Sequence, residues 1–358
     1  MAALVGLPLI GTKTALAQQD RLAGSGEVVI QSYGGSFTDG ARKLVFEPFT
    51  KATGIKVVDV IADLGEPQVR AMHAAGKVEW DIAGIVARNF PPMRDAGMFA
   101  PIDYTLWDAE SIEGSPAQTR LREACLYGQS SQVLAYDTRT FPKGGPKNWQ
   151  DFWDLKKFPG TRGLNGPQAN ANIQFALLAS GVSAKEIWPL TEDKLSRAFA
   201  KLDELKPHIA KWWNAGGEAP QLLIKQEYAM TACYDGRAIS VIRQGAPVSI
   251  VWEGACLVYT YACVLKGGPN TANAQKFLAY LNRAQNAAAW TLGSGLPGSN
   301  TNQLKYLPPE LVPLLSVNPE NAAKTVFEDY AWLGQKRPDG KTNQEYLLER
   351  WLAWRAKA

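Results

Sequence analysis

Apolar and polar positions along this chain switch repeatedly between a period of two or less and a period near 3.6. Val28, Val29 and Ile30 form a short apolar run of the kind buried on both faces of a parallel sheet, and Gly34-Gly35 permits the tight turn that starts a helix. Leu44, Val45, Phe46 and Phe49 give that helix an apolar face, Thr53-Gly54 stops it, and Ile55 to Ile61 reads as the next strand. Strands are also expected over Ile82 to Val86, Gln132 to Tyr136, Val248 to Trp252 and Tyr259 to Leu265. Helices are expected over Pro67 to Ala75, Asn172 to Ala179, Thr191 to Leu205, Thr271 to Leu281 and Gln344 to Ala356. This alternation argues for an α/β architecture. A ligand at the Gly34-Gly35-Ser36 turn would meet helix N-terminal amides.

Length changes the picture first, because 358 residues exceed what one core holds and two domains are expected. The net charge of +4, from 38 basic and 34 acidic side chains with interspersed signs, offers no basic stripe for nucleic acid and no polybasic membrane patch. Leu4 to Ile10 is apolar and Thr14-Ala15-Leu16-Ala17 ends in an A-x-A-like site. Residues 1–17 are therefore expected to be the tail of a secretory signal peptide, cleaved near Ala17 so that the mature chain starts at Gln18. No later stretch reaches the apolar length that crosses a bilayer.

Candidate chemistry is sparse. Cys125, Cys233, Cys256 and Cys263 include no C-x-x-C pair, and His73 and His208 are the only histidines, so ligand-type spacing for zinc is absent. There is no G-x-S-x-G elbow, no P-loop and no G-x-G-x-x-G after a strand, and no cofactor is expected. An even cysteine count allows one or two disulfides; buried free thiols fit the same residues.

Between them, the Tyr33-Gly-Gly turn, Phe49-Thr-Lys-Ala-Thr-Gly-Ile-Lys-Val57, Trp80-Asp-Ile-Ala-Gly84, Met93-Arg-Asp-Ala-Gly97, Asn148-Trp-Gln-Asp-Phe-Trp153, Tyr234-Asp-Gly236, Gln244-Gly-Ala-Pro-Val248, Gly267-Gly-Pro-Asn270 and Gly295-Leu-Pro-Gly-Ser-Asn300 cover nearly the whole mature chain. In this order the chain resembles the extracellular solute-binding proteins of bacterial ABC importers, in their spermidine/putrescine-binding branch. The resemblance implies a two-lobed periplasmic-binding-protein fold of type II with a ligand cleft between lobes. One lobe is expected from 27–125 and 263–299, the other from 126–262 and 300–358. It further implies a periplasmic, non-catalytic monomer that hands a small amine-bearing solute to a membrane permease driven by its ATPase. It also places Cys125 near Cys263, as a candidate disulfide.

The same resemblance departs from its pattern at the pocket. The carboxylates that would grip a polyamine fall at Gly34-Gly35-Ser36, near Asn170-Ala171-Asn172 and at Tyr261, none of them acidic. Burying unpaired ammonium groups costs several kcal/mol. Arg88 instead suits a ligand carboxylate, because its fork donates two parallel hydrogen bonds, and Asp235 suits an ammonium group. Tyr33, Trp213, Tyr234, Tyr259 and Tyr261 are expected to form an aromatic cage, with Gly35 and Ser36 at the turn. Trp213 rather than Trp212 is expected to face the ligand, and Tyr259 and Tyr261 share a face by their spacing of two. Together these point to a zwitterion such as γ-aminobutyrate or an opine. The alternatives are a true spermidine/putrescine-binding protein, a ferric-ion binding protein using the two tyrosines, and a secreted hydrolase.

Overall fold

The computed structural model describes residues 21–62 and 64–357. The expected signal peptide lies outside the described residues, and among these no helix is long and apolar enough to cross a membrane. The described residues form nine strands: β1 (Glu27–Ser32), β2 (Lys56–Ile61), β3 (Ile82–Val86), β4 (Cys125–Asp137), β5 (Arg162–Asn165), β6 (Ile209–Trp213), β7 (Met230–Tyr234), β8 (Val248–Val264) and β9 (Val326–Phe327). The chain divides into two compact units. The first holds the described residues up to Ile85 with Met93–Gly128 and Thr260–Leu307; the second holds Val86–Pro92, Gln129–Tyr259 and the described residues from Pro308 on. β4 and β8 each change unit part-way along their length.

In the first unit the strand order is β2-β1-β3-β8. β1 pairs β2 in parallel from Glu27↔Lys56 to Ser32↔Ile61, and pairs β3 in parallel at Ile30↔Ile82. Gly34 turns out of β1 with φ 76 and ψ 179, a conformation essentially reserved for glycine, and caps the helix Gly35–Ala41. That helix continues through a π-type segment, Arg42–Phe46, into Glu47–Thr53, and ends as expected on a left-handed Gly54. Phe46 and Phe49 pack edge-on against Phe277 of the helix Thr271–Leu281, over a core that includes Val28, Ile30, Ile82 and Trp290.

In the second unit the order is β4-β7-β5-β6, with β9 running parallel to β8. β4 and β7 are antiparallel from Gln132↔Tyr234 to Tyr136↔Met230. The helix Ala169–Ala179 is buried from Ala169 to Leu178, with Asn170, Asn172 and Gln174 among the buried residues, and Phe175 stacks on Trp149 at 3.6 Å. β5 carries a fully buried Arg162, which donates to the carbonyls of Phe152 (2.8 Å), Phe158 (2.7 Å) and Gly160. Burial pulls its pKa down to about 10, and the carbonyls supply partners in place of a carboxylate.

Two expectations about strands change. The two short strands at Val248 to Trp252 and Tyr259 to Leu265 are one strand of 17 residues that passes through Gly254 at φ 72. It continues because Cys256 and Leu257 pair with Val326 and Phe327. The expected Cys125–Cys263 disulfide is absent: all four cysteines are free and buried. Burial pushes the Cys125 thiol up to about 12 and also raises Cys263 well above the usual thiol value, with Cys125 adding to the effect there, so these neutral thiols pack as small apolar groups.

The helices Gly35–Ala41 and Ala284–Ser294 cross at a glycine pair. A methyl group on Gly293 would lie 2.6 Å from the Gly40 carbonyl oxygen, and one on Gly40 would clash with the Gly293 carbonyl. Gly40→Ala is expected to destabilise the protein by about 1–3 kcal/mol, as overpacking does. Urea denaturation measures this, and an unchanged midpoint would refute so tight a crossing.

Candidate functional site

The sites nominated from the sequence separate into two groups, one in each unit. In the first unit, Gly35 and Ser36 are exposed at the turn. The amide facing that turn is already engaged, since Gly34 N–H donates to Thr38 Oγ1 at 2.8 Å and Thr38 shares a 2.5 Å hydrogen bond with Ser32. Tyr33 is half-buried and stands edge-on to Phe37 at 4.9 Å. Burial raises its pKa, the Glu66 carboxylate adds to this, and a hydrogen bond with Thr260 opposes it. Glu66 is thus an acid beside Tyr33 where the turn itself has none. It sits in the first turn of the helix Gly65–Ala74 and is 6% exposed. Tyr261 is buried and also belongs to this unit.

In the second unit, Arg88, Tyr234 and Tyr259 converge around two residues that no motif announced, Glu328 and Tyr330. Arg88 lies on the single turn Ala87–Asn89 after β3, and Glu328 follows β9. Arg88 Nη1 donates to Glu328 Oε2 at 3.0 Å, and the side chains are 16% and 1% exposed. Burial is the largest single influence and works against the Arg88 charge, but Glu328 together with Tyr330, Tyr234 and Cys256 outweighs it and the guanidinium pKa is raised. Cys256 Sγ lies 3.9 Å from Glu328 Oε1. Tyr330 heads the helix Tyr330–Gly334, and its hydroxyl accepts from the Tyr259 N–H at 3.0 Å. Tyr259 and Tyr330 both pack edge-on against Phe327, at 4.6 and 4.9 Å. The division between units falls at Tyr259/Thr260, so Tyr259 belongs to the second unit and Tyr261 to the first.

Tyr234 ends β7. Its hydroxyl accepts from Gln168 Nε2 at 2.8 Å, and Gln132 Nε2 donates to Gln168 Oε1 at 2.9 Å. Burial raises the Tyr234 pKa, while Arg88 and a hydrogen bond with Asn165 pull the other way. Among the described residues, Gln132 Oε1, Asn165 Oδ1, Asn172 Oδ1 and Ser131 Oγ are buried without a hydrogen-bond partner.

Asp235 is 4% exposed, and its Oδ1 accepts from Ser131 N–H at 3.0 Å and from Gly236 N–H at 2.9 Å. Burial pushes its pKa up to about 7, the amide hydrogen bonds opposing. It is therefore half-protonated near neutral pH rather than a fixed anion. Trp213 packs in the core at 1% exposure with its indole N–H on the Ala232 carbonyl (3.1 Å), and reaches the site only through its edge on Tyr234 at 5.7 Å. Its neighbour Trp212 faces Trp351 and Trp354 of the helix Asn343–Ala356. Alternation along β6 holds, and both indoles are used for packing.

Comparison with known proteins follows the same lines. Residues 45–310 match the family of bacterial extracellular solute-binding proteins. A γ-aminobutyric acid-binding protein of Pseudomonas aeruginosa is 32% identical over 359 residues, covering 98% of this chain and 96% of its own. An ABC transporter substrate-binding protein of Bradyrhizobium japonicum superposes with a TM-score of 0.81 at 31% identity, over 92% of this chain and 99% of that one. A solved GABA receptor superposes with a TM-score of 0.80 at 27% identity, over 93% and 98% of the two chains. Such structural neighbours are two-lobed periplasmic binding proteins, which establishes the fold class.

The buried Asp235 carboxyl makes stability depend on pH in a set direction. Its folded pKa of about 7 exceeds the unfolded value near 4, so the native state holds a proton that the unfolded chain has released throughout that interval. Stability falls as pH rises across it, by up to about 4 kcal/mol. Asp235→Asn keeps the acceptor for Ser131 N–H and is expected to lose this slope. Denaturant titrations of both proteins at pH 4–8 measure the difference, and parallel curves would contradict it.

Proposed function

We propose that this chain, which belongs to the family of bacterial extracellular solute-binding proteins and is the substrate-binding component of an ABC transporter, captures a small zwitterion of the γ-aminobutyrate type. The observation that carries this reading is the Arg88–Glu328 pair, buried in the second unit beside Tyr234, Tyr259 and Tyr330. Glu328 engages Nη1 of a guanidinium that has five N–H donors, and the remaining edge suits a solute carboxylate. The opposite charge of the solute meets different chemistry. An ammonium group brings three donors and no acceptor, and the partnerless oxygens of Gln132, Asn165, Asn172 and Ser131 near Tyr234 are what such a group satisfies. The tyrosine rings add cation–π attraction, at about 0.5–2 kcal/mol per good contact.

Asp235 has a smaller part in this arrangement than a lone acid next to Tyr234 suggests. Its carboxylate is held by the Ser131 and Gly236 amides, and its raised pKa makes it a weak counter-charge. A polyamine fits poorly for the same reason. Each further ammonium group needs a fixed carboxylate, and in this cluster Glu328 is already paired. The relatives' names agree: a γ-aminobutyric acid-binding protein and a GABA receptor. In operation the protein acts in the periplasm without catalysis, binding its solute and presenting it to the membrane permease and ATPase. Preferential binding of solute to the transport-competent state is what shifts that equilibrium.

Removing Arg88 tests the reading. Arg88→Met is expected to weaken γ-aminobutyrate binding by about 2–5 kcal/mol, since it removes the carboxylate's partner. Isothermal titration calorimetry reads the change, with circular dichroism checking the fold, because leaving Glu328 buried and unpaired also costs stability. Wild-type affinity in a folded Arg88→Met protein would overturn the assignment.

A further inference from the structure

The geometry points to Glu328 as the residue that sets charge selectivity, confining the site to solutes of zero net charge; this rests on the zwitterion reading above. Glu328 is the carboxylate that faces Arg88 among the described residues, and the other groups coupled to that guanidinium are Tyr330, Tyr234 and Cys256. Burial raises the pKa of all three, so they are neutral at physiological pH. The cluster therefore enters binding with one positive and one negative charge.

Charge balance then sorts the solutes. A simple carboxylate bound to Arg88 would leave two acids sharing one guanidinium in a largely desolvated cluster, a net negative charge that nothing nearby offsets. A simple amine beside the tyrosines would leave a net positive charge. A zwitterion brings its own compensation and keeps the total at zero. Because Glu328 is 1% exposed beneath an Arg88 that is 16% exposed, Glu328 acts through Arg88 rather than by touching the solute, and is a positioning and charge-balancing residue. It discriminates by making the wrong partner's charge uncompensated, which is specificity by penalty rather than by added contact.

The test compares γ-aminobutyrate with butyrate and n-butylamine, which keep the chain and drop one charge each. The readout is calorimetric affinity on wild type, Glu328→Gln and Glu328→Asp. Wild type is expected to prefer γ-aminobutyrate to either analogue by at least about 100-fold. In Glu328→Gln the uncompensated Arg88 is expected to gain butyrate affinity, so that the γ-aminobutyrate-to-butyrate ratio falls by at least about 10-fold. Glu328→Asp, which keeps the charge, is expected to retain the wild-type ratio. A merely structural role for Glu328 would weaken all three solutes together and leave the ratio in place, which overturns the inference. If Glu328→Gln does not fold, Arg88→Gln leaves Glu328 as the one charge of the cluster, and a gain in n-butylamine affinity over wild type of at least about 10-fold supports the inference; unchanged or weakened n-butylamine binding overturns it. The two failures are distinct. Wild type that binds γ-aminobutyrate with an unmoved ratio in the variant defeats this inference alone, whereas wild type that binds no zwitterion defeats the reading on which it rests, and this inference with it.

Discussion

The Arg88–Glu328 ion pair is the interaction around which the second unit is arranged. Two charges taken largely out of water are stable only while both are present, and breaking such a pair costs about 3–5 kcal/mol. The pair joins pieces of chain that are 240 residues apart. One is Val86–Pro92, the short excursion by which the chain leaves the first unit after β3; the other begins beyond Pro308. Pro91 packs close to Gly334 at the end of the helix Tyr330–Gly334, so apolar contact and ion pairing fix the same junction. Tyr259 reaches that junction through its N–H on the Tyr330 hydroxyl and its ring against Phe327.

Much of the fold is legible from hydrophobic period alone. Val28-Val29-Ile30, Ile82 to Val86 and Thr271 to Leu281 are strand, strand and helix as their patterns predict, since each buries a largely apolar face. The pattern fails where burial and polarity coincide. β4 extends well beyond the apolar stretch at its end because Gln129, Ser131 and Gln132 are buried in it, and β5 is hidden by an arginine and an asparagine that are both buried. Such residues read as loop until their hydrogen-bond partners are known.

The candidate site is legible by residue type and obscure by pairing. Arg88 and Tyr234 stand out by residue type, but nothing in Thr325-Val-Phe-Glu-Asp-Tyr330 announces that its glutamate answers an arginine 240 positions earlier. An acid between Phe327 and Tyr330 directly after an apolar pair was the available signal. Asp235 and Trp213 both adjoin Tyr234, and both have backbone partners that the sequence does not announce: the first accepts from backbone amides and the second donates to a backbone carbonyl. Glu66 was missed because it opens a helix whose apolar pattern begins after it.

A site that carries balanced charges before any solute arrives selects by net charge. This separates γ-aminobutyrate from a polyamine more sharply than any count of aromatic rings does. The most direct measurement is a thermal-shift screen of the protein against γ-aminobutyrate, opines, spermidine and putrescine. A ligand at 100 times its dissociation constant adds about 2.7 kcal/mol of stability. Stabilisation by γ-aminobutyrate or an opine, with none from spermidine or putrescine, is the predicted result; stabilisation by the polyamines alone would contradict the account.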